Sequence, residues 1–590
     1  MPDEINASLG TLDVIWDLGP LYSGYDDPAI EEHIGECERE AAAINTEYGG
    51  RVAELGAEDL FALVSRLEIM EVVFGRIATF ASLNFASNAL DQKVSAFLQR
   101  VREVASRINK ETVFFELEWN LVAEDRAASL LRSEALAHYS HYLESMRRYA
   151  PHQLTQVEEK LLLERAPVGR GSWTTLFEKV MGRLKFGERQ RTEEEVLSDL
   201  YAADRETRKT AAADLTAGLR SQLHVLTHIF NTLLADKMIN DRLRSYPSWI
   251  RSMNLGNELE DRTVEILIKT VVSRYDIPQR YYRVKRGLLE LDELLDYDRY
   301  APLPHLPDTR IHWDTCREMV LNAFGGFSPR MAEIAGYFFD RNWIHAPVKD
   351  GKRGGAFAHP CVPDVHPYVL VNYTGTLRDV STVAHELGHG VHQHLAAGRG
   401  YYNSDTPLVL AETASVFAEL IVFNSQLALI KAEEERKAFV CQKLESIFAT
   451  VFRQISMNRF EDLVHNQRRE QGELSTEAVT ASWLATQRAM FRDSVTMSDD
   501  YGIWWSYIPH FLSTPGYVYS YAFGELLVLA LYGLYKKEEE AFVPRYMELL
   551  AAGGSLSPYE LLKPFGVDPD DPAFWAGGLT IIDDMLALVE

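Results

Sequence analysis

The chain has 590 residues, 46% of them hydrophobic and 25% charged, and its 60 Lys and Arg against 86 Asp and Glu give a formal charge of −26. This is the composition of an ordinary soluble protein, long enough for a full core in one very large unit or in two to four domains. The negative excess argues against a protein that tracks nucleic-acid phosphates or lies on an anionic membrane, so neither is expected as a partner.

Residues 27–47, 57–80, 89–124 and 126–147 carry apolar side chains at three- and four-residue spacing and are expected as long amphipathic helices. Four scattered cysteines (Cys37, Cys316, Cys361 and Cys441) form no Cys-x-x-Cys pair and are expected as reduced thiols. The opening Met-Pro-Asp-Glu-Ile-Asn has neither a basic stretch nor an apolar one, and the apolar run at 526–534 is too short to span a bilayer. The expected compartment is therefore the cytoplasm. A Pro/Gly break at residues 166–172 suggests a boundary between an N-terminal helical domain, 1–170, and a catalytic domain, 171–590. Helical patterning resumes over 192–234 and 248–282, stops at the Pro-rich residues 300–307, and returns over 313–339.

The character changes at residues 346–376. A basic, glycine-rich loop at 349–356 lacks the spacing of a phosphate cradle; it is either a hairpin turn or a mobile loop whose backbone approaches a ligand. Residues 368–373 read as the best strand in the chain, and this strand is expected to pair with the backbone of a bound peptide.

Next comes His385-Glu386-Leu387-Gly388-His389. Two histidines four apart leave one face of a helix, so two ring nitrogens can meet one tetrahedral metal ion. Glu386 is rotated off the ligand face and stays beside the open metal position, where a base for bound water belongs. Asp379 and Ser381 are the candidate caps of this helix. The extended motif with a third histidine is absent, since His392 and Leu395 occupy its last two places. The third ligand is assigned to Glu412, on the apolar helical stretch 410–419, and Glu419, seven residues on and on the same face, to a contact that orients a ligand histidine. His392 is expected beside the ligands rather than among them.

A second group lies at residues 508–521. His510 and the tyrosines Tyr517, Tyr519 and Tyr521 could donate to the oxyanion of a tetrahedral intermediate. Pro515-Gly516 reads as a break before an apolar helix at 517–535, which puts Tyr517 and Tyr521 on one face and turns Tyr519 elsewhere.

The histidine motif, Glu412-Thr413-Ala414-Ser415, Pro509-His510-Phe511 and Tyr517-Val518-Tyr519-Ser520-Tyr521 resemble the thimet oligopeptidase family of zinc metallopeptidases, in its oligoendopeptidase F branch. Gly351-Lys352-Arg353-Gly354-Gly355-Ala356, residues 372–376 and Trp16-Asp17-Leu18 extend the resemblance over most of the chain. It implies a mainly α, two-lobed helical shell with a deep substrate channel and a small β-sheet near the active site. It also implies one zinc ion on His385, His389 and Glu412, Glu386 as the catalytic glutamate, and His510 with Tyr521 or Tyr517 as transition-state donors. The implied activity is endopeptidase cleavage of short unstructured peptides. A zinc carboxypeptidase or dipeptidase, and a non-catalytic peptide-binding scaffold, are the alternatives.

Overall fold

The computed structural model describes residues 2–166, 168–304 and 310–590. The described chain is mainly helical with a single three-stranded sheet. It forms two compact units, each assembled from three separate stretches. Residues 1–150, 308–429 and 534–567 make the first, and 151–307, 430–533 and 568–590 the second. The boundary expected at residue 170 is a single cut, whereas these units interleave along the chain. The break that suggested it, whose Pro167 lies outside the described residues, separates helices Gln156–Arg165 and Arg170–Arg183 of the second unit. A Pro/Gly signal marks where a helix stops; it carries no information about which helices later pack together. Pro307 and its neighbours from 305 also lie outside the described residues.

In the first unit, helices Pro28–Tyr48, Ala57–Ser87 and Gln92–Thr112 bury the faces their spacing predicts. Ile30, Ile34, Cys37, Ala41 and Ile44 join Leu60, Leu63, Val64 and Leu67 in one core. Asp27 and Asp91 cap two of these helices by accepting from backbone amides. The helix expected over 89–124 breaks at Val113 into Gln92–Thr112 and Phe114–Leu121. Apolar spacing survives a change of axis, so periodicity does not reveal it.

The sheet of this unit has β1 at Ile344–His345, β2 at Phe357–His359 and β3 at Tyr368–Leu370, in the order β1-β3-β2. β1 runs parallel to β3, pairing Ile344 with Val369, and β2 runs antiparallel, pairing Ala358 with Val369. The expected strand is therefore central, with β2 at one edge. Beyond it, helix Leu408–Leu429 is long and apolar enough, by length and composition, to cross a bilayer. Here it is a core helix carrying two carboxylates, with Val409, Leu410, Ala414, Phe417 and Ala418 buried.

The second unit is organised along the 39-residue helix Arg205–Leu243, capped by Asp204. Phe230 from its middle stacks on Phe460 of helix Phe452–Gln471 and lies 5.0 Å from Trp505. Asp298, fully buried, accepts from Arg205 and Arg208, which holds the carboxylate below its ordinary range against the opposing effect of burial.

Candidate active site and metal centre

The histidine motif lies mid-way along helix Leu377–Ala396, called here the motif helix. Its N-cap is Thr376, one turn ahead of the expected candidates. Thr376 Oγ1 accepts from the Asp379 amide at 3.1 Å, and the Asp379 carboxylate accepts from the amides of Thr376 and Thr374. Asp379 is thus the third-position half of a capping box, and Ser381 sits inside the helix. Both imidazoles project toward helix Leu408–Leu429, their ring centres 5.0 Å apart.

Glu412 meets them there. Its Oε2 lies 3.3 Å from His385 Nε2 and 3.4 Å from His389 Nε2. A tetrahedral ion with bonds of about 2.0 Å holds neighbouring ligand atoms about 3.3 Å apart, so the Glu412 oxygen stands from each imidazole nitrogen as one ligand stands from another in a coordination shell. They are the group among the described residues whose nitrogen and carboxylate atoms converge closely enough to hold a metal ion. Ser415 Oγ donates to the same Glu412 oxygen at 2.6 Å, and Glu419 Oε2 lies 3.4 Å from His385 Nδ1. That second carboxylate favours the tautomer with the proton on Nδ1, leaving Nε2 free to coordinate.

The electrostatics favour a cation. Burial alone would lower the pKa of His385, but Glu419, Glu412 and Glu386 raise it to about 9. Burial alone would raise that of Glu412, but His389 and His385 hold it at about 2. Three carboxylates that draw a proton onto one imidazole would equally draw a divalent ion, with the imidazoles then neutral. Glu386 is 6% exposed, and burial pushes its carboxyl above the usual range despite the two histidines. His392 is buried on the same helix, its Nε2 without a hydrogen-bond partner, and lies outside the converging group. Burial lowers its pKa to about 4, so it packs as a neutral ring.

The sheet reaches this site by a different strand from the one expected. The amides of Val369 and Val371 donate to Trp343 and His345 on the β1 side, and Tyr368 and Leu370 pair with β2. Both edges of β3 are therefore occupied, and it has no row of groups left for a peptide. Alternation leaves the Ala358 amide and carbonyl on the outer edge of β2, where the amide interacts with the Glu386 carboxylate. The glycine-rich loop leading into β2 is tied down. Lys352 Nζ donates to the carbonyls of His345, Pro347 and Val371 at 3.1, 2.8 and 2.6 Å, past the ends of β1 and β3. Asn372 donates to the Arg353 and Gly355 carbonyls.

In the second unit His510, Tyr517 and Tyr521 form one cluster. His510 Nε2 is 3.4 Å from the Tyr521 hydroxyl, the His510 and Tyr517 rings are parallel at 6.0 Å, and Tyr517 and Tyr521 meet edge to face at 4.9 Å. The helix begins at Tyr519, so Tyr517 sits in the turn before it. Tyr519 is fully buried, which sets it apart from the other two tyrosines, and its hydroxyl accepts from Asn257 Nδ2 at 2.9 Å. Burial, then the nearby Arg453 charge, lowers the pKa of His510, leaving a neutral ring.

Residues 330–581 match the sequence profile of Peptidase family M3, and residues 118–186 that of Oligopeptidase F. Oligopeptidase PepF of Bacillus subtilis (strain 168) is 27% identical over 540 residues, which span 89% of this chain and 80% of the relative. The oligoendopeptidase F homolog of Lactococcus lactis subsp. lactis (strain IL1403) is 24% identical over 98% of this chain and 96% of its own. The crystal structure of oligoendopeptidase-F from Enterococcus faecium superposes with a TM-score of 0.73 at 20% identity, covering 95% of this chain and 98% of that one. The chain belongs to peptidase family M3.

For an M3 metallopeptidase, sequence reasoning passed over the residue that lets the two ligand-bearing helices meet. Gly388 lies against the backbone of helix Leu408–Leu429: a Cβ there would stand 2.6 Å from the Ala414 carbonyl oxygen and 2.7 Å from Ser415 Cα. The signal was a glycine inside a helix, which is costly unless another backbone approaches. Ser415 and Lys352 belong to motifs in which the sequence gives them no role, because a hydroxyl donor and a half-buried lysine nitrogen are recognised only by what they touch.

Proposed function

We propose that this M3 peptidase is a zinc-dependent oligoendopeptidase that hydrolyses internal bonds of short unstructured peptides, using one zinc ion. The observation that carries the reading is the single Glu412 oxygen lying 3.3 and 3.4 Å from two imidazole nitrogens, with Glu386 beside them. Zinc held by His385, His389 and Glu412 would supply a water of lowered pKa and polarise the scissile carbonyl. The chain's own groups do the rest. Glu386, its carboxyl already lifted by burial, takes the water's proton and passes it to the leaving amine. The outer edge of β2 offers the peptide backbone the Ala358 carbonyl, the Ala358 amide being taken by Glu386, and so gives affinity with little demand on side chains. The role expected of β3 moves to this edge.

His510 and Tyr521 are assigned to oxyanion donation, supported by a neutral imidazole in contact with a phenol. Tyr521→Phe should lower kcat roughly 10²–10³-fold with KM little changed. Tyr519→Phe, which loses the Asn257 bond, should keep kcat and show its effect as a lower melting temperature. Equal kcat losses in the two variants would remove Tyr521 from the reaction.

The reading as a whole is tested with a peptide blocked at both ends. Internal cleavage seen by mass spectrometry, abolished by a chelator and restored by one equivalent of zinc, is the expected result. A carboxypeptidase or dipeptidase would leave the blocked peptide whole and trim a free one, and a scaffold would bind both and cut neither.

A further inference from the structure

Two guanidinium groups of the second unit make no ion pair among the described residues. Arg299 and Arg453 line one cavity of about 90 Å³, together with Tyr201, Tyr282, Tyr300 and Glu445. Arg299 is 7% exposed, donates to the Asp296 carbonyl at 2.9 Å and the Tyr300 hydroxyl at 3.3 Å, and lies over the rings of Tyr300, Phe491 and Tyr501. The Asp296 carboxylate, whose charge reaches Arg299 without an ion pair, accepts from the Ser498 amide and hydroxyl. Arg453, at the start of helix Phe452–Gln471, makes no hydrogen bond or ion pair among the described residues; its charged or ionisable neighbours are Tyr300, Tyr507, Tyr501 and Arg299. Glu445, the acid in the wall, is already held by Lys285 Nζ and, at 2.6 Å, by the Tyr281 hydroxyl.

Guanidinium stays charged at any pH the fold survives, so neither arginine escapes its burial by losing a proton. Two like charges on one partly buried wall repel, and buried charges are kept where something neutralises them. In a chain of net charge −26 this wall is locally short of acid. A cavity of about 90 Å³ admits a carboxylate and excludes a nucleotide, and the planar fork of arginine matches a carboxylate with two parallel bonds. Tyr201 and Tyr300 also line this wall. The field of Arg453 also reaches His510, which ties the cavity to the donor cluster within this unit.

We infer that this cavity binds a carboxylate group and, resting on the peptidase reading, that the group belongs to the peptide substrate, as its C-terminal carboxylate or an acidic side chain. The test uses three matched quenched peptides with the same internal sequence: a free acid, its C-terminal amide, and an amide ending in Glu. The wild type should show a KM about tenfold lower for whichever peptide presents its carboxylate to the cavity than for the plain amide. A low KM for the free acid alone identifies the C-terminus; a low KM for the Glu-amide alone identifies a side chain. Arg453→Met should erase the difference by raising that KM to the value for the plain amide, and Arg453→Lys should restore part of it. Equal KM values for all three peptides in the wild type overturn the inference. So does an Arg453→Met protein that keeps the lower KM for the carboxylate-bearing peptide, since Arg453 would then only support the His510 cluster. Should the wild type cleave none of the peptides, the peptidase reading falls instead. Calorimetric titration with acid and amide then decides the cavity by itself, equal affinities counting against it.

Discussion

The Glu386→Gln protein is expected to keep one metal ion per chain and to lose roughly 10³–10⁴-fold in kcat, with KM within a few-fold of wild type. Glutamine has the shape of glutamate and can still accept from the Ala358 amide, so the motif helix and the edge of β2 should stay in register. The atoms that would hold the metal, on His385, His389 and Glu412, are untouched. What disappears is a basic oxygen beside the open metal position, which no neutral amide replaces. Stability should not suffer. Burial raises the Glu386 carboxyl above its unfolded value, so the folded state binds its proton more tightly than the unfolded chain does. Ionising it therefore disfavours folding as pH rises above the ordinary carboxylate range, and the amide removes that penalty. Compared metal-free at neutral pH, the variant should melt at or above the wild-type temperature. Metal analysis, steady-state kinetics and a melting curve check the three parts. A Glu386→Gln enzyme turning over normally would mean that the proton is taken elsewhere. Glu419→Gln is the contrasting variant, since Glu419 touches His385 Nδ1 and would act through metal affinity.

How far the sequence carried differs from element to element, and the reason is physical in each case. Helices such as Ala57–Ser87 were legible because a buried face repeats every three or four residues whatever it packs against. The grouping of His385, His389 and Glu412 was legible because two of its members sit one turn apart and the third lies on a helix with few other polar groups. Sheet order was not. A three-residue strand reads the same at the edge or in the centre, and only the pairing of Val369 with Ile344 on one side and Ala358 on the other shows that β3 is enclosed. The choice among three tyrosines was half legible. Spacing turned Tyr519 away from Tyr517 and Tyr521, but the Asn257 contact that occupies it comes from 262 residues away in sequence. The interleaving of the two units was illegible for the same reason: the contacts that define them are long-range, and a composition break records only the local chain.

Gly388→Ala should cost more at the active site than any other single-methyl change in the motif helix, and the sign is decided by two opposing terms. In a free helix the substitution is favourable by about 1 kcal/mol, because alanine loses less backbone entropy than glycine. Here the new methyl would stand 2.6 Å from the Ala414 carbonyl oxygen and 2.7 Å from Ser415 Cα. Neither can rotate aside, since both belong to the backbone of a helix packed into the core, so the two helices must part by ~0.5–1 Å. Overpacking of this kind costs about 1–3 kcal/mol, which outweighs the propensity gain. The separation also falls on the coordination shell, because His385 and His389 ride on one helix and Glu412 on the other. A displacement near 1 Å in a reacting constellation costs on the order of 10²-fold in rate, so weakened zinc affinity and a comparable loss in kcat/KM are expected. Gly390→Ala supplies the control. Its methyl would meet the Phe338 ring at 2.5 Å, a side chain that can shift, on a face turned from Glu412, so it should lower the melting temperature and leave zinc affinity nearly intact. If Gly388→Ala binds zinc and cleaves peptide as the wild type does, the close approach of the two backbones is not what brings the glutamate to the histidines.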